Sequence, residues 1–538
     1  MRKGVTSQWL RASRRAALLS AAVTAAVIGT ANFAAQAQDR PLVIARDMDI
    51  NSLDPSRAWC DTCQIYDSAV YEQLTTLDKD MKTVPLLAES WASNKEMTEF
   101  TFKLNAAAKF SDGSPVEAKD VKWSFERLKN LKGNAAFFTD SIASIEAPDA
   151  HTVLIKLTLA NSEFPQMVAA PNMAILNSDV VAEHGGLADE GAAEKDKGEE
   201  WLLANSAGSG TFVLEKYEPN AELRLKRNDA YWGKKALVPA VVFRQVKDAV
   251  AQAQLLQSGS ADIAMQIDPD TAKSLEGSNV KVERATSFNF LYIALSPGAK
   301  GLQAKLTPEV REAISLAIDR QGLIDVTLGG AGKPMAAAIP LGFPGGDGHE
   351  IPKYDPDKAK ELLAKAGYAD GFTLESTYPG MNVYGVDLSV MMQKIQQDLS
   401  KVGIKVDLTP VPFANWREKV NGDGTPLTAV FFAPDFYGAS GYVDYFGLAE
   451  GSVWAKRAGA ANDPSIVNTK ITAVRNAALA AATPEEANKL WFEAGEMMAK
   501  DRIIIPMVSP DLILTYGDKV SGVRYSACCN LPLAEIKY

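Results

Sequence analysis

The chain carries 538 residues, with 66 acidic against 56 basic side chains and a formal net charge of −10. With no strong basic run and no interleaving of aromatic and basic residues, this balance excludes a nucleic-acid partner; acidity of this size favours solubility without selecting a ligand. The length exceeds what one hydrophobic core organises, so two or more lobes are expected.

The N-terminus reads as a leader. Arg2, Lys3, Arg11, Arg14 and Arg15 precede an apolar run over 16–35, which ends in the small-x-small site Ala35-Gln36-Ala37. This predicts a signal peptide over 1–37, a mature start near Gln38 and a soluble periplasmic product. The run approaches membrane-spanning length, but its Ala, Ser, Thr and Gly content holds it weakly in lipid. Ser13-Arg14-Arg15 leaves both the general and the twin-arginine export routes open.

Beyond the leader, short apolar segments alternate with helical ones, the pattern of an α/β protein. Strands are expected at 41–45, at 100–104 before the Ser111-Asp112-Gly113 turn, and at 152–157. A helix over 118–129 places Val121, Phe125 and Leu128 on one face. The charged stretch 189–200 reads as an exposed loop or short solvated helix. Three later helices announce themselves by a capping side chain before an N1 proline: Thr307-Pro308, Asp355-Pro356 and Thr483-Pro484, the last with Glu486 in capping-box position. Strands are expected at 372–376 and 404–408, and Gly329-Gly330-Ala331-Gly332-Lys333 reads as a flexible turn after a helix.

Four cysteines follow the leader: Cys60, Cys63, Cys528 and Cys529. Export implies disulfides, and a Cys528–Cys529 bridge would close a strained ring. Two cross-links joining the close pair at one end of the chain to the pair at the other are therefore expected. A zinc site is the alternative, although adjacent cysteines do not match structural zinc spacing. A redox role for Cys60-x-x-Cys63 is another, although no thioredoxin-like βαβ pattern surrounds it. His151, His184 and His349 are isolated, and no nucleophile elbow, phosphate loop or dinucleotide fingerprint occurs. No catalytic residue, metal or cofactor is expected. Trp59 and Trp416 are candidates to line a solute pocket.

From Tyr71 onward a succession of motifs accumulates. Tyr71-Glu72-Gln73-Leu74-Thr75 leads to Pro85-Leu86-Leu87-Ala88-Glu89-Ser90-Trp91, then to Lys109-Phe110-Ser111-Asp112-Gly113-Ser114-Pro115-Val116. Asn205-Ser206-Ala207-Gly208-Ser209-Gly210, Asn228-Asp229-Ala230-Tyr231-Trp232-Gly233, Leu255-Leu256-Gln257-Ser258-Gly259 and Val310-Arg311-Glu312-Ala313 follow in order. The succession resembles the family-5 solute-binding proteins of ABC importers, which handle peptides, nickel, opines and some saccharides.

The resemblance implies a bilobal Venus-flytrap α/β fold in its large three-subdomain form, with two crossover strands. Lobe I would take 38–285 plus 505–538, with an inserted subdomain near 71–200, and lobe II would take 286–504. Segments 287–292 and 503–506 would be the crossovers. It also implies a monomer that captures a small solute between the lobes, hands it to the permease subunits and catalyses nothing. In peptide-binding members an aspartate within an aromatic segment pairs with the ligand amine. The matching stretch here supplies Phe432, Asp435, Phe436 and Tyr437, with Tyr442 beyond, although the family's later Asp-Pro is missing. A small peptide or other amino-bearing solute is the expected ligand. An oligosaccharide or opine is the nearest rival, and a secreted hydrolase on a bilobal scaffold is the rival of another class.

Overall fold

Twelve strands make the principal sheet of the computed structural model, which describes residues 40–527 and 530–538. Along the chain they are β1 (Leu42–Arg46), β2 (Phe212–Glu218), β3 (Glu222–Arg227), β4 (Ala240–Gln245), β5 (Ile263–Ala264), β6 (Val280–Thr286), β7 (Phe290–Leu295), β8 (Gly332–Pro334), β9 (Phe372–Pro379), β10 (Ile404–Val411), β11 (Leu427–Phe432) and β12 (Ile504–Gly517). Their order is β10-β9-β11-β7-β12-β5-β1-β4-β3-β2, with β6 and β8 also pairing to β12. The expected leader and its cleavage site, and Cys528 and Cys529, lie outside the described residues.

The centre of the sheet is set by β7, six apolar residues that are all buried. A strand covered on both faces reads as an unbroken apolar run instead of an alternating one. Leu291, Ile293 and Leu295 enter one core with Ile314, Met391, Ile395 and Leu427. Phe290, Tyr292 and Ala294 point the other way, into a core holding Trp416, Phe446, Trp454 and Trp491. A separate core gathers β1 to β5 around Ile44, Tyr66, Phe212, Leu223 and Phe243, with Leu531 and Ile536 from the C-terminus.

One strand serves both sides. At its start β12 pairs antiparallel with β7, then with β8 through Val508 to Pro510, and from Asp511 to Gly517 with β6. Fourteen extended residues span roughly 45 Å. Pro506 and Pro510 cannot donate to a ladder, and the register of the β7 pairing shifts between Leu291 and Tyr292. Side chains stitch the two segments together there. Ser287 Oγ donates to the Pro510 carbonyl (2.6 Å) and Ser509 Oγ donates to the Ser287 carbonyl (2.9 Å).

A second, four-stranded antiparallel sheet (Ala88–Ser93, Glu99–Leu104, Thr152–Leu157, Ile142–Asp149, in that spatial order) packs under α2 (Ala118–Leu131), which follows α1 (Asp61–Val70) in the chain. Its core brings Val121, Phe125 and Leu128 of α2 onto Phe100, Phe102, Val153 and Ile155, which agrees with the helical stripe expected from sequence.

The three proline-led helices form as expected: α3 (Pro308–Ala317), α4 (Pro356–Lys365) and α5 (Pro484–Asp501). Thr307, Asp355 and Thr483 accept from the backbone N–H groups of Val310, Lys358 and Glu486 respectively. The reciprocal bond from Glu486 is not made. One loop expectation is corrected, and the short-helix alternative for 189–200 holds with one exception to its exposure. Gly332–Pro334 is a strand, held by the spare edge of β12 where Pro510 interrupts the main ladder. The charged stretch 189–200 folds into two short helices because one of its acids is not solvated at all.

That acid is Asp196. The guanidinium of Arg127 on α2 is fully buried and forks between Asp54 (2.5 and 2.8 Å) and Asp196 (2.9 and 2.9 Å), with Ser56 Oγ at 3.1 Å. Burial works against the charge, but the two carboxylates outweigh it and hold Arg127 firmly protonated. Removing one member of a buried ion network leaves the others uncompensated, at a cost of about 3–5 kcal/mol. Arg127→Met is therefore expected to lower thermal stability by about that amount; a loss below about 1 kcal/mol in calorimetry would show that the two aspartates find other partners.

Candidate functional site

A cavity of about 1500 Å³ lies where the two sides of the sheet meet. Residues within 46–67, 134–172 and 247–269 form one wall, residues within 381–385 and 413–479 the other, and Asn289 with 511–513 the back. The volume exceeds the ~300–1,000 Å³ of ordinary small-molecule pockets, leaving room for a solute of several linked groups. Its rim is apolar: Trp59, Phe137, Leu159, Met381, Phe413 and Val453 are all exposed large hydrophobic residues and all line it. Concentration of such side chains around one opening marks a surface built to be covered.

Asp435 stands at the end of β11, on the loop that leads to the helix Ala439–Phe446. Its carboxyl lines the cavity, and no hydrogen-bond donor among the described residues reaches it. Burial pushes the group up to about 7. Across the cavity, α1 starts at Asp61, whose carboxyl is pushed up to about 6 by burial and by the neighbouring Asp49, with Arg46 opposing. Asp49 accepts from the N–H groups of Asp61 and Thr62 (both 2.9 Å), and so occupies the first donors of α1.

Tyr384 belongs to the same cavity. It sits at φ 53° with Gly385 at φ 82°, the two-residue turn of the small hairpin Asn382–Val383 and Val386–Asp387. A bulky residue in the left-handed region is held there by its surroundings, a feature that gathers at functional sites. Burial, with the fields of Asp61, Asp49 and Asp435, drives its phenol well above the usual value. Tyr384 thus lies within electrostatic reach of acids from both walls.

The residues singled out from sequence divide. Asp435, Phe432, Trp59 and Trp416 line the cavity. Trp59 is exposed and meets Phe137 edge-on across 6.0 Å. Trp416 is buried, with its indole N–H donated to Thr428 Oγ1 (2.8 Å), and stiffens the wall behind Phe413. Tyr437 turns away to donate to the Gly342 carbonyl (2.7 Å), and Tyr442 packs behind the wall against Phe432 and Phe343.

Phe436 also reaches the cavity lining, but its ring enters the core of the four-stranded sheet, 6.1 Å from Phe138. Beside it, the buried carboxylate of Glu163 accepts from the N–H groups of Ala439 (2.9 Å) and Ser440 (3.1 Å). Together they fasten the Asp435 loop to the opposite wall. Tyr384 and Glu163 were not legible in sequence, because each matters through a neighbour more than 50 residues away; Asp61 was not, because its shift comes from burial and from Asp49 folded beside it.

The expected cross-links between the two ends of the chain are overturned at Cys60 and Cys63, which bond to each other. Cys60 N-caps α1, accepting from the Cys63 N–H (3.0 Å), and the short spacing lets one helical turn close the bridge. The ends still meet without it: Asn530 Nδ2 donates to Gln64 Oε1 (2.9 Å).

A family profile described as bacterial extracellular solute-binding proteins, family 5 Middle, matches residues 82–454. The chain is 28% identical over 492 residues to the glutathione-binding protein GsiB of Salmonella paratyphi A, covering 90% of this chain and 91% of that protein. Among solved structures, AgaA of A. tumefaciens R10 in complex with agropinic acid superposes with a TM-score of 0.76 at 25% identity, covering 93% of this chain and 98% of that one. DppA from Helicobacter pylori in complex with the peptide STSA gives 0.75 at 22%, with the same coverage. The fold is thus the bilobal one of periplasmic binding proteins, in its large form.

The shift at Asp435 has a consequence for stability. Between 3.8 and about 7 the folded chain keeps a proton that the unfolded chain has released, so stability falls as pH rises through that window. Asparagine cannot ionise. Asp435→Asn is expected to melt higher than the parent, without ligand, above pH 7, by an amount on the order of 1–3 kcal/mol, and to match it near pH 4. Equal melting at pH 8 would show the carboxyl to be solvated.

Proposed function

The chain belongs to the bacterial extracellular solute-binding proteins of family 5, and we propose that its cleft takes a small peptide or another amino-bearing solute through Asp435. Members of this family bind small solutes for ABC importers and are not enzymes, and the chain fills that role. Among the described residues no helix is long and apolar enough to cross a membrane. We place the mature protein in the periplasm as a monomer that serves the permease subunits of its importer.

The observation that carries the reading is the carboxyl of Asp435, half-buried at the cavity wall and reached by no hydrogen-bond donor among the described residues. An acid drawn partly out of water, with no donor beside it, favours a proton or a cation. An ammonium supplies the cation and makes charge-assisted hydrogen bonds to it, while Phe432, Tyr384 and Phe431 offer ring faces nearby. Without such a guest, closing the cleft around an ionised carboxyl is unfavourable. With it, the closed form is favoured by the difference in affinity between the two states. The names of the relatives support the same class: glutathione and the peptide STSA both carry amines.

The separate cores support assigning 38–285, with its inserted subdomain of about 71–200, and the C-terminal segment to lobe I and 286–504 to lobe II, but Ile505, Met507 and Val508 pack in the lobe II core, which favours a return crossing near Ser509 over one at 505. An opine is the second reading. The agropinic acid held by AgaA favours it, as does Arg417, an exposed guanidinium at the cavity with no acidic partner among the described residues.

Alanyl-alanine and its N-acetylated form are the discriminating pair. Free dipeptide is expected to raise the melting temperature, a saturating ligand at 100 Kd adding about 2.7 kcal/mol, and the acetylated form to add little. Dipeptide affinity is expected to fall about tenfold per pH unit below 7, where Asp435 holds its proton, and the slope to vanish in Asp435→Asn. Equal stabilisation by both compounds removes amine recognition from this cleft.

A further inference from the structure

The Cys60–Cys63 disulfide opens on the solute cleft. Cys60 is half-buried and lines the cavity at the first turn of α1, while Cys63 is almost fully covered. As a staple it does little: the two residues are three apart, and the chain-entropy gain from a cross-link is smallest for the shortest loops. Cys60 Sγ receives the Cys63 N–H at the start of a ten-residue helix, which fixes the more exposed sulfur at the cavity lining. Behind the bridge, Asn51 Oδ1 and the Ser52 carbonyl lie 3.4 Å from Cys63 Sγ, two acceptors placed for a thiol that forms only when the bridge opens.

One turn further along the same face, Asp67 lines the cavity. It is 1% exposed, and its Oδ1 has no hydrogen-bond partner. Burial, with the field of Asp54, raises its carboxyl well above the usual range, which favours the protonated form. Four residues after Cys63 on α1, this acid is placed as a proton source for the sulfur that leaves.

We propose that this disulfide is a reversible covalent subsite, which captures amino-bearing solutes that also carry a thiol. This deepens the amine reading of the cleft and rests on it for the non-covalent part of binding. Asp435 holds the ammonium from the opposite wall, and the solute thiol meets the exposed sulfur of Cys60 across the cavity. The solute thiolate forms a bond to Cys60 Sγ as the Cys60–Cys63 bond breaks. The electron pair leaves on Cys63, which takes up one proton, replacing the proton that the solute thiol gave up. One thiol and one disulfide stand on each side, so no external oxidant or reductant is required. In the reverse step Cys63 attacks Cys60 Sγ, restores the bridge and frees the solute unchanged, as delivery to a permease demands.

The test compares cysteinyl-glycine with seryl-glycine under anaerobic conditions, using the whole mature protein with Cys528 and Cys529 replaced by serine. Intact-mass measurement is expected to show addition of one cysteinyl-glycine, removed by reductant. Alkylation followed by peptide mapping should place the solute on Cys60 and the alkyl label on Cys63. Apparent affinity for cysteinyl-glycine should exceed that for seryl-glycine by at least tenfold, and the two should become equal in Cys60→Ser/Cys63→Ser. Seryl-glycine stabilisation of that variant reports its folding, and the mapping on the bridged protein stands without it. Stabilisation by both peptides with no adduct overturns the covalent subsite and leaves the amine reading intact. An adduct on Cys60 with no stabilisation by seryl-glycine supports the subsite and counts against the amine reading.

Discussion

The structure depends on a single strand that pairs on both sides of the principal sheet. Because β12 pairs with β7 and β8 at its start and with β5 and β6 at its end, neither side of the principal sheet is complete without it. Two prolines and the shifted register break the ladder in its middle, and two serine hydroxyls replace the lost bonds across the crossing segments. The chain is thus weakest in backbone pairing at the crossing proposed above, between packed cores on either side. Asn289 and 511–513 at the back of the cavity lie beside this stitch, so the solute site and the crossing share a short stretch of chain.

The chemistry of the cleft follows from withholding partners. Elsewhere the fold satisfies its buried charges: Arg127 has two carboxylates and Asp196 also takes the Leu187 N–H. At the cavity Asp435 has none, and Asp61 has a like charge for a neighbour. Native proteins retain groups left in this state where function needs them, at a cost to stability. The apolar rim complements the acids, because covering Trp59, Phe137 and Phe413 rewards closure whatever polar groups the guest presents.

Much of the fold was readable because it is written locally. Thr307, Asp355 and Thr483 each cap a helix whose first residue is proline, and β7 declares its double burial by an unbroken apolar run. The motif succession from Tyr71 identified the architecture as a whole. Reading failed where distant residues decide the outcome. The stretch 189–200 looked solvated because the partner of Asp196 lies on α2, and Gly332–Pro334 looked like a turn because the strand that pairs with it comes some 175 residues later. Asp435 was found through its aromatic neighbours, whereas Tyr437 and Tyr442 share that neighbourhood in sequence and turn elsewhere in space. The cysteines show the opposite error: a long-range pairing was expected where one helical turn sufficed.

The fastening of the Asp435 loop bears on timing. For the lobes to part, Phe436 must leave an apolar core and Glu163 must surrender two backbone donors together. Both contacts hold the Asp435 loop against residues of the opposite wall. The dwell of a captured molecule is therefore governed by a clasp beside the chamber as well as by the chamber's grip. A permease that pried at this clasp would hasten unloading without competing for the cargo.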